Sequence, residues 1–146
     1  MLLAKALKRP FLDTDLLLQT QEGLGLQEMI DRDGMEAFLF RESRLICGLN
    51  VQGSVVATGG SVVYRKEAMA HLRAHGTCVF LQLSLAEIEA RLRNIATRGV
   101  ARRSGQTLAE LYAERQPLYC RYADYTLDVN GLAMEEVVTR LVEMLE

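Results

Sequence analysis

The chain has 146 residues, 49% hydrophobic and 25% charged, with a net charge of −2. That length suits a single domain burying its own core, and the charge balance leaves no basic surplus to neutralise a nucleic-acid backbone. No apolar run approaches the ~20 residues of a membrane span and no signal peptide precedes the first structured segment, so the cytoplasm is the expected compartment. Residues 1–8 carry Leu3, Ala6 and Leu7 at helical spacing, and Arg9-Pro10 stops them; this predicts a short helix without an N-cap residue. Phe11 to Asp15 reads as a short strand. On an extended chain Asp13 and Asp15, two apart, point the same way. Such a pair serves a metal or a hydroxyl, or is a solvated strand end, and the residues alone leave both readings open.

Leu16 to Phe40 is mostly helical, broken by Gly23 and Gly25, with Leu26, Met29 and Ile30 as one apolar stripe. Gly34 ends that helix and another runs from Glu36 to Leu49, with Phe38, Leu45 and Leu49 on its buried side. Gln52-Gly53 then turns the chain into Ser54-Val55-Val56-Ala57-Thr58-Gly59-Gly60, a β-branched run without alternation. Such a run reads as a strand buried on both faces, and its Gly-Gly end puts bare backbone at the carboxyl edge of a parallel sheet, where open α/β folds bind ligands. Lys66 to Ala74 is a helix closed by Gly76. Its His71 and His75 stand at i, i+4 without a third ligand and read as surface residues.

Thr77 to Leu83 is a second buried strand. Ser84 caps the next helix, with Glu87 as its capping-box partner, and that helix runs to about Ile95. Residues 96–106 are short of large apolar anchors and rich in Arg and Gly, as in a lid over an anionic ligand or a solvated basic loop. Thr107 caps a helix through Tyr119, Tyr125 to Val129 is a last strand, and Met134 to Leu145 is an amphipathic helix. Strands alternating with helices predict an α/β domain over 1–146 with a mostly parallel central sheet flanked by helices. Cys47, Cys78 and Cys120 lie far apart and read as reduced thiols filling the core.

Phe11-x-Asp13-x-Asp15, Ala57-Thr58-Gly59-Gly60, the Arg-bearing loop and Arg115-x-Pro117-Leu118-Tyr119 follow one another at separations that resemble the shikimate kinases over essentially the whole chain. The resemblance implies a nucleoside-monophosphate-kinase-like fold and transfer of the γ-phosphoryl of ATP, with Mg2+, to the 3-hydroxyl of shikimate in aromatic amino-acid biosynthesis. By the same resemblance Asp13 supports the magnesium, and Asp15 binds substrate hydroxyls as the candidate base. Gly59 and Gly60 present backbone to the substrate. Arg115 binds its carboxylate, which suits a guanidinium fork, and Arg98 closes over the phosphates, with Arg102 and Arg103 as competing candidates. A monomer is implied.

Three departures accompany the resemblance. Ser61 replaces the last of three glycines. Phe38 is followed by Leu39 where the family carries Arg, with Glu42 in register; Arg41 lies about 200° around the helix from position 39. One carboxylate-binding Arg is then missing, and the acceptor could be a different small hydroxy acid. Third, the strand and G-x-x-x-x-G-K-[ST] loop that open such kinases are absent, and residues 2–7 resemble the rear of the helix that follows them. In the family that strand is central, between the Ser54 and Cys78 strands. Three expectations follow: a shortened gene product, direct pairing of the flanking strands, or a strand donated by a second chain, as in a dimer. A remnant that binds ligand without turnover is the alternative to the enzyme.

Overall fold

The structure, a computed structural model, describes residues 1–93 and 105–146. The expected lid over 96–106 therefore lies, up to Ser104, outside the described residues, and with it Arg98, Arg102 and Arg103. In chain order the elements are α1 (Leu2–Leu7), β1 (Phe11–Asp13), α2 (Thr14–Glu22), α3 (Leu26–Asp33), α4 (Met35–Cys47) and β2 (Val55–Ala57). A 3-10 turn (Gly60–Tyr64), α5 (Lys66–His75), β3 (Val79–Gln82) and α6 (Leu85–Arg93) follow, then α7 (Leu108–Tyr122), β4 (Tyr125–Asp128) and α8 (Met134–Leu145). Parallel strands flanked by helices make this the expected α/β fold.

The caps the sequence announces are in place. The Thr107 hydroxyl accepts from Glu110 N at 3.1 Å while the Glu110 carboxylate accepts from Thr107 N at 3.3 Å. Glu87 N donates to the Ser84 hydroxyl at 3.3 Å, but Ser84 N donates to Asn130 Oδ1 at 2.9 Å and not to the Glu87 carboxylate, so only half of the expected capping box forms. Helix α1 has no side-chain cap at Met1 and is closed by Lys8 in the left-handed region.

The sheet is in two parts. β1 pairs with β2, Phe11 opposite Val55 and Asp13 opposite Ala57, and β3 pairs with β4, Val79 opposite Tyr125 and Gln82 opposite Asp128; both pairs are parallel. Among the described residues β2 and β3 share no ladder, so the direct pairing offered as one expectation is not what the chain adopts. A cavity of about 470 Å³ lies there instead, lined by Val56 and Thr58 on one side and Val79 and Leu81 on the other. This also corrects the expectation of strands buried on both faces. β2 is half-buried throughout and Leu81 is 47% exposed, because a strand with one ladder partner leaves its other edge open.

Three apolar clusters hold the elements. Met29 from α3 packs with Leu18 of α2 and with Phe38 and Leu39 of α4; Ile46 packs with Val62, Val63, Ala68 and Met69. Leu127 and Val129 pack with Leu141 of α8 and Leu3 of α1. Phe38, Leu18, Met29 and Ile46 are fully buried, and each contributes about 1.5–3 kcal/mol relative to an exposed position. The first cluster seats α2 and α4 beside the carboxyl ends of β1 and β2. The second seats the 3-10 turn against α4 and α5. Those placements bring the polar residues described next to one place.

Candidate active site

Asp13 ends β1 and starts α2. Its Oδ1 accepts from Asp15 N at 2.9 Å and Leu16 N at 3.1 Å, which satisfies two of the amides a helix start leaves free. Asp15 is therefore in the first turn of α2 and not on an extended strand, so the expectation that both acids project alike from one strand is corrected. The cap is the cause, since an Asp that accepts from the second and third amides beyond it turns the chain into a helix.

Asp15 lies against the end of β2. A Cβ built on Gly59 would stand 2.6 Å from Asp15 Oδ1 and 2.9 Å from Oδ2, so only a residue without a side chain lets the carboxylate approach this backbone. Gly60 is enclosed from α7, where a Cβ would meet the Tyr119 hydroxyl at 2.6 Å and Arg115 Nη1 at 2.9 Å. The Tyr119 hydroxyl donates to Gly60 O at 2.9 Å. Both glycines are needed here for close approach; Gly59 has φ −69.

Arg115 is held rigidly. It is 6% exposed, its Nε donates to the Tyr64 hydroxyl at 3.2 Å, and its guanidinium lies 5.3 Å from the centre of the Tyr64 ring. Tyr64 in turn donates to Glu114 at 3.0 Å, and Gln106 Nε2 donates to the same carboxylate oxygen at 2.7 Å. A preordered fork loses little freedom when it grips a planar anion.

Glu42 completes the cluster. It is 3% exposed, and the Ser61 hydroxyl, equally buried, lies 2.9 Å from Oε1 and 2.8 Å from Oε2. Burial drives its carboxyl up from 4.5 to about 7; the Ser61 bond opposes this, nearby Asp15 adds to it and Arg115 opposes it. Burial likewise raises the Tyr119 phenol.

The structure thus brings together Asp15, Gly59, Gly60 and Arg115 from α2, the end of β2 and α7, with Asp13 at the neighbouring helix start. Arg98 lies outside the described residues. Tyr64, Tyr119, Ser61 and Glu42 join them although the sequence reading gave them no role. Glu42 had a visible signal: it stands four residues after Phe38, on the apolar stripe of α4, where an acid is costly to bury. Arg41 does not replace the guanidinium absent at position 39. It bonds Asp33 at 2.7 Å and approaches Glu22 at 3.8 Å, while Leu39 is buried among Leu18, Met29 and Phe38. His71 Nε2 lies 2.8 Å from Leu49 O, and no group of three or more metal-ligating side chains occurs among the described residues.

The family model described as shikimate kinase matches residues 1–146. The shikimate kinase of Vibrio vulnificus is 33% identical over 147 residues, covering 99% of this chain and 86% of its own length. That of Pseudomonas syringae pv. tomato is 33% identical over 150 residues, covering 98% and 87%. Among solved structures, shikimate kinase from Aquifex aeolicus superposes with a TM-score of 0.81 at 27% identity, covering 99% of this chain and 85% of that one. The enzyme from Acinetobacter baumannii, solved in complex with shikimate, gives 0.85 at 24% identity, covering 98% and 82%. With the family match running from end to end and the converging side chains drawn from the stretches that carry the resemblance, the chain belongs to the shikimate kinase family.

Proposed function

We propose that this chain binds shikimate at the Asp15–Gly60–Arg115 cluster for phosphorylation of its 3-hydroxyl by ATP. The observation that carries the reading is the convergence, from three separate elements, of a carboxylate, a glycine backbone and a buried guanidinium fork. Arg115 grips the substrate carboxylate, Asp15 accepts the proton of the attacking hydroxyl, and Gly59 and Gly60 allow the ring to lie against bare backbone. ATP is the co-substrate of the family. Mg2+ would neutralise charge on the transferring phosphoryl group; Asp13 suits its support through water, because both cap bonds use Oδ1 and leave Oδ2 to other partners. Arg98 is assigned the phosphate clamp by resemblance. No helix among the described residues is long and apolar enough to cross a membrane, and we assign a cytoplasmic monomer on family grounds.

The 146 residues contain no G-x-x-x-x-G-K stretch, so the groups that hold the β- and γ-phosphates in such kinases are not among them. Calorimetric titration with shikimate, with and without MgATP, tests the binding step. A coupled ADP-release assay on this chain, and on a fusion with a strand and Gly-Lys-Thr loop placed ahead of Met1, tests turnover. Saturable shikimate binding with turnover in the fusion supports the reading. Absence of shikimate binding by the folded chain refutes it.

A further inference from the structure

Glu42 and Ser61 are the most deeply buried polar pair beside the site, and the phosphoryl-transfer chemistry uses neither. Ser61 is the residue after Gly60 and opens onto the 3-10 turn; its hydroxyl is shared by both oxygens of a carboxylate on α4. The same turn is held from the other side by α7, where Tyr119 donates to Gly60 O and Arg115 Nη1 stands against the Gly60 Cα. Gly60 is thus clamped between α4 and α7. We propose that Glu42 and Ser61 form a positioning pair that sets the Gly59–Gly60 backbone and shares the positive charge of Arg115 with an anionic ligand. This deepens the shikimate reading and rests on it.

The surroundings of Glu42 define what the pair does. The charged groups acting on it are Asp15 from α2 and Arg115 from α7; Ser61 meets it from the 3-10 turn, and Tyr119 on α7 feels its charge. From α3 and α5 the residues packed on the buried face of α4 are apolar, Met29 against Phe38 and Leu39 and Met69 against Ile46. The ion pairs of α4 with Asp33 of α3 and with Arg65 at the start of α5 are made by Arg41 and Glu36 and not by Glu42. Ionised, Glu42 accepts the Ser61 proton and draws on the field of Arg115. Neutral, it leaves that field to the ligand carboxylate and can itself donate to Ser61 Oγ. An anionic ligand at Arg115 therefore favours the neutral form and takes up a proton on binding, so affinity falls as pH rises through about 7.

The experiment has two arms. In the free chain, the amide shifts of Gly60 and Ser61 are followed by nuclear magnetic resonance between about pH 5.5 and 8.5. They are expected to move with a midpoint near 7, and to lose that movement in Glu42→Gln and in Ser61→Ala. Ser61→Ala keeps the carboxyl in its pocket, so it serves where Glu42→Gln does not fold. In the second arm shikimate affinity is measured calorimetrically in buffers of different ionisation heat. It is expected to be about two- to threefold weaker at pH 8 than at pH 6, with proton uptake, as for a half-unit rise in the complex; Glu42→Gln is expected to be flat. Unchanged amide titration in the variants, or pH-independent affinity in the parent chain, overturns the pair. Amide titration that vanishes in the variants, with no shikimate binding at any pH, instead refutes the substrate reading while keeping the Glu42–Ser61–Gly60 coupling.

Discussion

Gly60→Ala is the sharpest single perturbation of this site. The added methyl would lie 2.6 Å from the Tyr119 hydroxyl and 2.9 Å from Arg115 Nη1, where ordinary contact begins near 3.4 Å. The phenol must withdraw by several tenths of an ångström, which breaks its 2.9 Å bond to Gly60 O at a cost of about 1 kcal/mol. Overpacking in a filled region adds about 1–3 kcal/mol, and the stiffer unfolded chain returns about 0.4–1. The net loss is about 1–3.6 kcal/mol, equivalent to a melting point lower by about 3–12 °C. Gly76→Ala is the matched control: its backbone is extended at φ −171 and the nearest atom to a Cβ is Leu72 O at 3.8 Å. Differential scanning calorimetry of the three chains, with shikimate titrations beside it, reads both consequences. Gly60→Ala is expected to melt lower and to bind at least tenfold more weakly, because the methyl displaces Arg115. A Gly60→Ala chain that melts and binds like its parent refutes the close packing of α7 on this turn.

Three further outcomes are expected. The raised Glu42 carboxyl gives a stability contribution fully present below about pH 4.5 and lost as pH rises through about 7. The loss is on the order of 3 kcal/mol, and urea titrations of Glu42→Gln should be flatter across that window. Arg115→Lys removes the planar fork and the bond to Tyr64, and is expected to weaken shikimate binding about ten- to a hundredfold by calorimetry. Asp13→Ala abolishes the cap of α2 and is expected to cost about 0.5–2 kcal/mol in urea unfolding, with helicity lost at residues 14–16 when followed by amide exchange.

The regular elements were legible because their signals are local. Thr107 with Glu110 and Ser84 with Glu87 announce helix starts, and the β-branched run before Gly59 announces a strand. Asp13 was expected beside a metal but not as a helix cap, since the amides of Asp15 and Leu16 reach its carboxylate only once the chain has turned. The 3-10 turn over Gly60–Tyr64 carries no periodic pattern of its own; it exists because Val62 and Val63 are pulled into the cluster around Ile46. The roles of Tyr64 and Tyr119 depend on α7 crossing that turn, a tertiary fact that no spacing encodes. Glu42 was legible in register, and Ser61 as a lost glycine, but their union needed the approach of α4 to the turn.

The divided sheet has a consequence for how the molecule opens. With no ladder between β2 and β3, cooperation between the halves passes through side chains: the Phe80 and Tyr119 rings, 5.0 Å apart, and Cys78 against the cluster around Ile46. Helix α1 packs with β4 and α8, although the strand it precedes lies in the other half, so Lys8-Arg9-Pro10 is a covalent strap between them. Subglobal unfolding can then release β3, β4, α1 and α8 as one unit while β1, β2 and α2–α4 stay closed. Native-state amide exchange is expected to resolve two families of protection rather than one, split along that strap.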